Sequence, residues 1–371
     1  MGIEISLCMI VKNEEENLGA CLDSVRGVAD EIIIVDTGST DGTLDIAARY
    51  TDKIYHFDWI DDFAAARNYS FSKGTKEYLM WLDADDTITE ENRLNLIQTK
   101  ALFPPDVDYV VMYYYTQVDE EGQPIFMSRR ERILRRAAGF QWQGALHEYI
   151  PVSGKGYRSR MYVTHNRKEY DSNTKRNMSI IQKKADSGEL DERDAYYYAG
   201  MLYADGRKEE ALEQARRYLS IDTLPLCDGQ KIYFLAHDLM MERGDHEGAL
   251  KALTEKEKFL KDKSEYYCQL GFFYRDIYND KDKACEYFRQ ALQCEESMSM
   301  AGVSVEAAHD YYYFIPYAAL GQCQIALRQY RDAYDSFRMA LSYKPEDEET
   351  QEMARKLDRA LTLRRAAESM A

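Results

Sequence analysis

Four short apolar runs separated by segments of helical spacing constrain this chain more than any other feature. They are Ile3-Glu4-Ile5-Ser6-Leu7-Cys8-Met9-Ile10-Val11, Glu31-Ile32-Ile33-Ile34-Val35-Asp36, Lys53-Ile54-Tyr55-His56-Phe57 and Glu77-Tyr78-Leu79-Met80-Trp81-Leu82-Asp83. The second is a continuous apolar run, the kind a strand shows when both faces of a parallel sheet are covered. Between the runs lie a segment with Leu18, Cys21, Leu22 and Val25 on one helical face, a helix through Ala47-Ala48, and a helix opening at Ala64-Ala65-Ala66. Strand and helix in this alternation predict an α/β domain, and ligands of such sheets sit at the carboxyl ends of strands. Asp36 and Asp83 fall at those ends.

Beyond about Asp171 the texture changes and the chain reads as helical to its end. Tyr317, Leu320, Gly321, Ala333, Phe337, Ala340 and Pro345 have the tetratricopeptide spacing. A second copy runs through Leu270, Gly271, Tyr274, Ala284, Phe288 and Ala291. A third comprises Tyr198, Ala199, Leu202, Ala211, Ala215 and Tyr218, and a fourth, weaker one Leu235, Ala236, Ala249 and Leu253. Glu346 to Ala371 is expected to cap the solenoid. The division expected is therefore residues 1–170, a linker helix over 171–192, and repeats with a capping helix over 193–371.

Charge and cysteine content exclude some functions. Lys plus Arg total 48 against 65 Asp plus Glu, a formal charge of −17 that disfavours general binding to nucleic acid or anionic membrane. The seven cysteines, Cys8, Cys21, Cys227, Cys268, Cys285, Cys294 and Cys323, are scattered without a CxxC pair and read as reduced thiols. No basic segment followed by an apolar stretch opens the chain, and no run reaches the roughly 18 apolar residues of a membrane span. A cytoplasmic protein is expected.

Asp83-Ala84-Asp85, followed by Asp86, carries the chemistry. Clustered hard oxygen donors suit Mg²⁺ or Mn²⁺, above all when a diphosphate completes the coordination. The bland alternative is a solvated turn or a helix N-terminus. Asp36 beside Gly38-Ser39-Thr40-Asp41 can accept hydrogen bonds from a ribose or a base edge, and the alternative is a helix N-cap by Ser39 or Thr40.

The segments Leu7 to Glu15, Ile34 to Thr43, Asp62-Phe63-Ala64-Ala65-Ala66-Arg67-Asn68 and Trp81-Leu82-Asp83-Ala84-Asp85-Asp86 together resemble family 2 glycosyltransferases of GT-A fold. The resemblance is greatest to the branch with C-terminal tetratricopeptide repeats, which includes the peptide S-glycosyltransferases of glycosylated bacteriocins. It implies an α/β GT-A domain, Rossmann-like with a mostly parallel sheet, followed by an all-α tetratricopeptide-repeat solenoid. It also implies transfer of a hexose or N-acetylhexosamine from a UDP-sugar, with inversion, assisted by Mn²⁺ or Mg²⁺. Val11 and Glu14 would line the nucleotide pocket, Asp36 would lie beside the base or ribose, and Arg67 and Asn68 would face the donor. Asp83 and Asp85 would be the DxD pair, with Asp85 most directly on the metal. Thr37 stands where some relatives carry a second acid that reads uracil, and the Gln-x-x-Arg-Trp signature of processive synthases is absent.

Two histidines remain as metal candidates: His165 at a strand end, then His147 in Gln143-Gly144-Ala145-Leu146-His147-Glu148. For each, a surface or core histidine is the alternative. Glu148 is the candidate general base, since deprotonating a hydroxyl acceptor needs a carboxylate within hydrogen-bond reach, and a thiol acceptor needs one less. The run Ser128-Arg129-Arg130-Glu131-Arg132-Ile133-Leu134-Arg135-Arg136 offers one or two arginines to a diphosphate, with the rest a solvated strand face. Tyrosine triplets at 113–115, 196–198 and 311–313 read mainly as packing. The repeats are expected to hold a peptide or protein acceptor or to pair two subunits. A cell-envelope saccharide transferase, and an interaction scaffold with a degenerate nucleotide-sugar domain, are the competing readings.

Overall fold

The structure is a computed structural model that describes residues 2–104, 106–166, 171–220, 231–255, 257–295 and 305–370. Cys227 lies outside the described residues. The chain divides into two compact units, Met1–Asp194 and Ala195–Ala371.

The first unit begins with β1 (Ile5–Val11), α1 (Leu18–Ser24), β2 (Glu31–Asp36), α2 (Thr43–Ala47), β3 (Ile54–His56), α3 (Phe63–Lys73) and β4 (Tyr78–Met80). It continues with β5 (Asp86–Thr87), α4 (Glu90–Leu102), β6 (Tyr109–Val118), β7 (Pro124–Arg135), β8 (Gly156–His165) and α5 (Asp171–Ser187). The strands form one sheet in the order β3-β2-β1-β4-β7-β6-β8-β5. The alternating half, β3 to β4, is parallel throughout, as its apolar runs predict. The other half mixes directions: β7 is antiparallel to β4 and β6, β8 is parallel to β6, and β5 is antiparallel to β8.

Burial explains why the first half is parallel. Ile33, Ile34 and Val35 are fully buried, because helices cover both sheet faces. One face packs Met9, Ile34 and Met80 against Leu18 and Leu22 of α1, Val25 just past its end, and Leu96 of α4. The other packs Cys8, Ile33 and Val35 against Ala64 and Phe71 of α3 and, nearer the strand ends, Trp81 and Trp142. Each buried Leu, Ile, Val, Met or Phe among them contributes roughly 1.5–3 kcal/mol. Helix starts are fixed locally: Asp62 accepts from the Ala65 amide at the head of α3, and Thr89 accepts from the Asn92 amide at the head of α4.

Among the described residues, the secondary structure of the second unit is helical: α6 (Glu192–Ala204, whose first turn belongs to the first unit), α7 (Lys208–Leu219), α8 (Lys231–Glu242), α9 (His246–Thr254), α10 (Glu257–Leu260), α11 (Ser264–Asp276), α12 (Lys281–Ala291), α13 (Val305–Tyr312), α14 (Phe314–Ala326), α15 (Tyr330–Tyr343) and α16 (Glu348–Met370). Small residues let the paired helices approach. A Cβ on Gly271 would sit 2.6 Å from the Phe288 ring, and one on Gly321 would sit 2.8 Å from the Phe337 ring. Ala211, Ala215, Ala236 and Ala249 are fully buried in the other two copies. α16 covers the end, with Ala354 and Leu357 against Ala333 and Phe337. Among the described residues no helix is long and apolar enough to cross a membrane.

Candidate functional site

At the carboxyl ends of β1, β2 and β4 the first unit holds a cleft of about 930 Å³, lined in part by Val11, Asn13, Glu14, Thr37, Trp59, Arg67, Asp83, Asp85 and His165. Two loops that the sequence presents as separate motifs build one wall. The Asn13 amide donates to Ser39 Oγ at 3.0 Å, and the Thr40 amide donates to Asn13 Oδ1 at 2.8 Å. The Glu14 amide donates to Thr43 Oγ1 at 2.7 Å, and the Gly42 amide to Glu15 Oε2 at 2.7 Å. Asp36 holds the second loop from beneath, accepting from the Gly38 and Ser39 amides at 3.0 Å each. Gly38 has φ 104°, which only glycine adopts readily. Asp36 is thus a buried loop anchor, and the cleft lining passes through its neighbour Thr37. Helix α2 starts at Gly42 without a side-chain cap from Ser39 or Thr40.

Arg67 organises the floor. Its Nη2 donates to Asp83 Oδ1 at 2.7 Å and its Nε to Glu148 Oε1 at 2.6 Å. The guanidinium lies against the rings of both Trp81 and Trp142, 4.9 and 4.8 Å from their centroids. Neighbouring Asn68 clasps the Trp142 backbone: its Nδ2 donates to the carbonyl at 2.9 Å, and its Oδ1 accepts from the amide at 2.8 Å. Glu148 meets Arg67 from a loop that Gln143 and Tyr149 close by reciprocal backbone bonds, and it is not itself among the residues that line the cleft. The residue before it, His147, has φ 53°, and its carbonyl accepts from Arg193 Nε at 3.0 Å. Burial, with Arg193, pushes the His147 imidazole down to about 4. His147 is not among the residues that line the cleft or cluster around Asp85.

The acidic triplet is divided by its partners. Asp83 is held by Arg67. Asp86, fully buried, accepts from Arg132 Nη1 at 3.0 Å and from the Asp83 amide at 3.1 Å. Asp85 faces His165, whose Nδ1 is 3.4 Å from Asp85 Oδ1 and 3.2 Å from Asp86 Oδ1. The register causes this juxtaposition, since Asp86 of β5 pairs with His165 of β8. Burial pushes the Asp85 carboxyl up to about 6; His165 opposes the shift, while Asp83 and Asp86 add to it. Burial pushes Asp83 up too, but Arg67 and Arg132 outweigh it and hold Asp83 below the usual carboxylate range. His165 is disfavoured as a cation by burial, yet the Asp86 hydrogen bond and the Asp85 charge raise it above its ordinary value.

Asp85, Asp86 and His165 place one ligand atom each within 4.8 Å of one another. Two carboxylates and an imidazole fit a divalent ion such as Mn²⁺ or Mg²⁺, and the open cleft beside them leaves room for a diphosphate. Sequence reasoning did not single out Arg132 or Tyr114, and it counted Asp86 only as a member of the acidic cluster. Arg132 belongs to a basic run whose periodicity suggests a solvated face, yet the side chain is 0% exposed. Tyr114 is the middle member of a tyrosine triplet, and its hydroxyl lies 2.9 Å from His165 Nδ1.

Comparison with known proteins agrees with this geometry. Residues 6–163 match Glycosyl transferase family 2. A tetratricopeptide repeat-containing protein of Synechococcus elongatus is 37% identical over 150 residues, covering 40% of this chain and 36% of that protein. The SPbeta prophage-derived glycosyltransferase SunS of Bacillus subtilis is 26% identical over 228 residues, covering 58% of this chain and 53% of SunS. The lipopolysaccharide core biosynthesis glycosyltransferase LpsC of Rhizobium meliloti is 27% identical over 164 residues, covering 41% of this chain and 58% of LpsC. The chain thus aligns with less than two thirds of the length of each of these relatives. The match over residues 6–163 makes the N-terminal unit, with its mixed sheet and its cleft at the strand ends, similar to glycosyl transferase family 2, and the chain continues into a helical unit.

Proposed function

We propose that this chain transfers a hexose or N-acetylhexosamine from a UDP-sugar to a peptide or protein acceptor, with inversion at the anomeric carbon. The observation that carries the reading is the partition of the acidic triplet: Asp83 and Asp86 each have an arginine, and Asp85 faces His165 at the cleft. Asp85 and His165 would hold a divalent ion, with Asp86 bracing the His165 ring. Such an ion supplies Lewis-acid neutralisation of the leaving diphosphate. Val11 and Glu14 line the side of the cleft on which the nucleoside is placed, with Asp36 keeping the adjoining loop in shape. Arg67 fixes Asp83 and Glu148 relative to each other and lends positive charge to the floor. The acceptor heteroatom bonds to the anomeric carbon as the bond from that carbon to the diphosphate oxygen breaks, and Glu148 takes the acceptor proton. The repeats are assigned to acceptor binding, the use to which stacked helix pairs lend extended surfaces. Similarity to LpsC favours one second reading, a saccharide acceptor of the cell envelope.

The test is nucleoside diphosphate release from a panel of UDP- and GDP-sugars, with and without Mn²⁺, for the wild type and Asp85→Ala. Metal-dependent release from one donor, lost in the variant, supports the reading. Absence of both release and donor-induced stabilisation, with peptide and saccharide acceptors present, would move the weight to an interaction scaffold.

A further inference from the structure

Arg132 is buried to 0% exposure, and its single ion-pair partner among the described residues is Asp86. Its Nε and Nη2 have no hydrogen-bond partner there. Two rings enclose it instead, Trp81 at 3.9 Å and Tyr114 at 4.4 Å from the guanidinium carbon. A guanidinium taken out of water with part of its hydrogen-bonding capacity unused is costly, and an apolar side chain of similar volume would fill the space without that cost. The backbone is also altered at this residue. Val110 of β6 pairs with Ile133, but Val111 pairs with Glu131, so Arg132 is the extra residue of a bulge. A bulge re-aims a side chain that the regular alternation would send elsewhere. Here it sends the charge beneath the acidic triplet.

The layer continues from Arg132 to the cleft. Arg132 holds Asp86, Asp86 Oδ1 is 3.2 Å from His165 Nδ1, and Tyr114 Oη is 2.9 Å from the same nitrogen. These contacts, like that of Asp85 Oδ1 at 3.4 Å, meet the imidazole at Nδ1, and Nε2 is the ring nitrogen not taken by any of them. A ligating histidine is ordinarily fixed in this way by a carboxylate or hydroxyl on its other nitrogen.

We propose that Arg132 is a positioning residue for divalent-cation binding, acting through Asp86 and together with Tyr114 to hold His165 in its ligating orientation. This rests on the metal reading given above. The test measures Mn²⁺ binding to the full chain by electron paramagnetic resonance, with pulsed detection of a coordinated imidazole nitrogen, for the wild type, Arg132→Met, Arg132→Lys and Tyr114→Phe. Melting temperatures serve as the control for folding. Tyr114→Phe and Arg132→Met are expected to weaken Mn²⁺ binding by about 10–100-fold and to diminish the nitrogen signal, with Arg132→Lys intermediate. A folded Arg132→Met with wild-type affinity and nitrogen coupling overturns the proposal. If Arg132→Met does not fold, Tyr114→Phe decides in the same way, because it removes one hydroxyl and keeps the ring under Arg132. A wild type that binds no Mn²⁺ overturns the metal reading itself and the proposal with it.

Discussion

Arg67 and Glu148 are 81 residues apart in the chain and 2.6 Å apart in the fold. The same guanidinium reaches Asp83 at 2.7 Å, so one cation links the first acid of the triplet to the candidate base. Glu148→Gln keeps the side-chain shape and removes the charge. We expect transfer to a hydroxyl acceptor to fall by roughly 10²–10⁴-fold, with UDP affinity changed by less than about threefold. Steady-state kinetics beside calorimetric UDP titration check this. Lost UDP affinity with intact turnover would instead make Glu148 only the counter-ion of Arg67.

Asp85 is the carboxylate of the triplet that neither arginine contacts. Asp85→Asn should therefore weaken Mn²⁺-dependent UDP binding by at least about tenfold, since partners one step removed from the metal already carry 10–100-fold effects. UDP binding in EDTA should change little. Equal UDP affinity in wild type and variant with Mn²⁺ present would remove Asp85 from the metal site.

Glu31 offers a pH test away from the cleft. Its carboxylate accepts from the Thr75 amide at 2.8 Å and the Thr75 hydroxyl at 2.9 Å, and it pairs with Lys53 and the Ser6 hydroxyl. Burial opposes ionisation, but these bonds outweigh it and bring the carboxyl down from 4.5 to about 2. The folded state then holds the proton less tightly than the unfolded state does. The stabilisation is complete above pH about 4.5 and fades as pH falls toward 2; its size is roughly 3 kcal/mol. Glu31→Gln should lower stability to urea at pH 7, and the difference from wild type should close between pH 4.5 and 2. A difference independent of pH would show that the charge is not the source.

Gly271 meets the Phe288 ring where a Cβ would lie 2.6 Å from it. Gly271→Ala should destabilise the repeat unit by about 1–3 kcal/mol through overpacking. Adding Phe288→Leu should recover part of the loss. Thermal unfolding of the two variants measures both, and a neutral Gly271→Ala would show that the helices can separate at no cost.

The strands β1 to β4, the helices among them and the repeat copies were legible because each follows from local patterning. An apolar run such as Ile32–Val35 can only be covered on both faces, and a glycine one helix away from an aromatic at tetratricopeptide spacing marks a close approach. Asp83, Asp85, His165 and Arg67 were legible through motif position. The division of labour among them was not. Asp86 reads as one more acid of a charged turn until the β5–β8 register sets it opposite His165.

The sequence by itself determined the two-part organisation and the chemistry available at the strand ends, because hydrophobic periodicity and residue type are local properties. The tertiary structure decided which acid received which cation. A strand bulge buries Arg132, a loop from residue 143 to 149 brings Glu148 to Arg67, and an antiparallel register brings His165 to Asp85. Those contacts join residues 46 to 81 positions apart, and charge pairing at such separations depends on register and burial that no local pattern encodes.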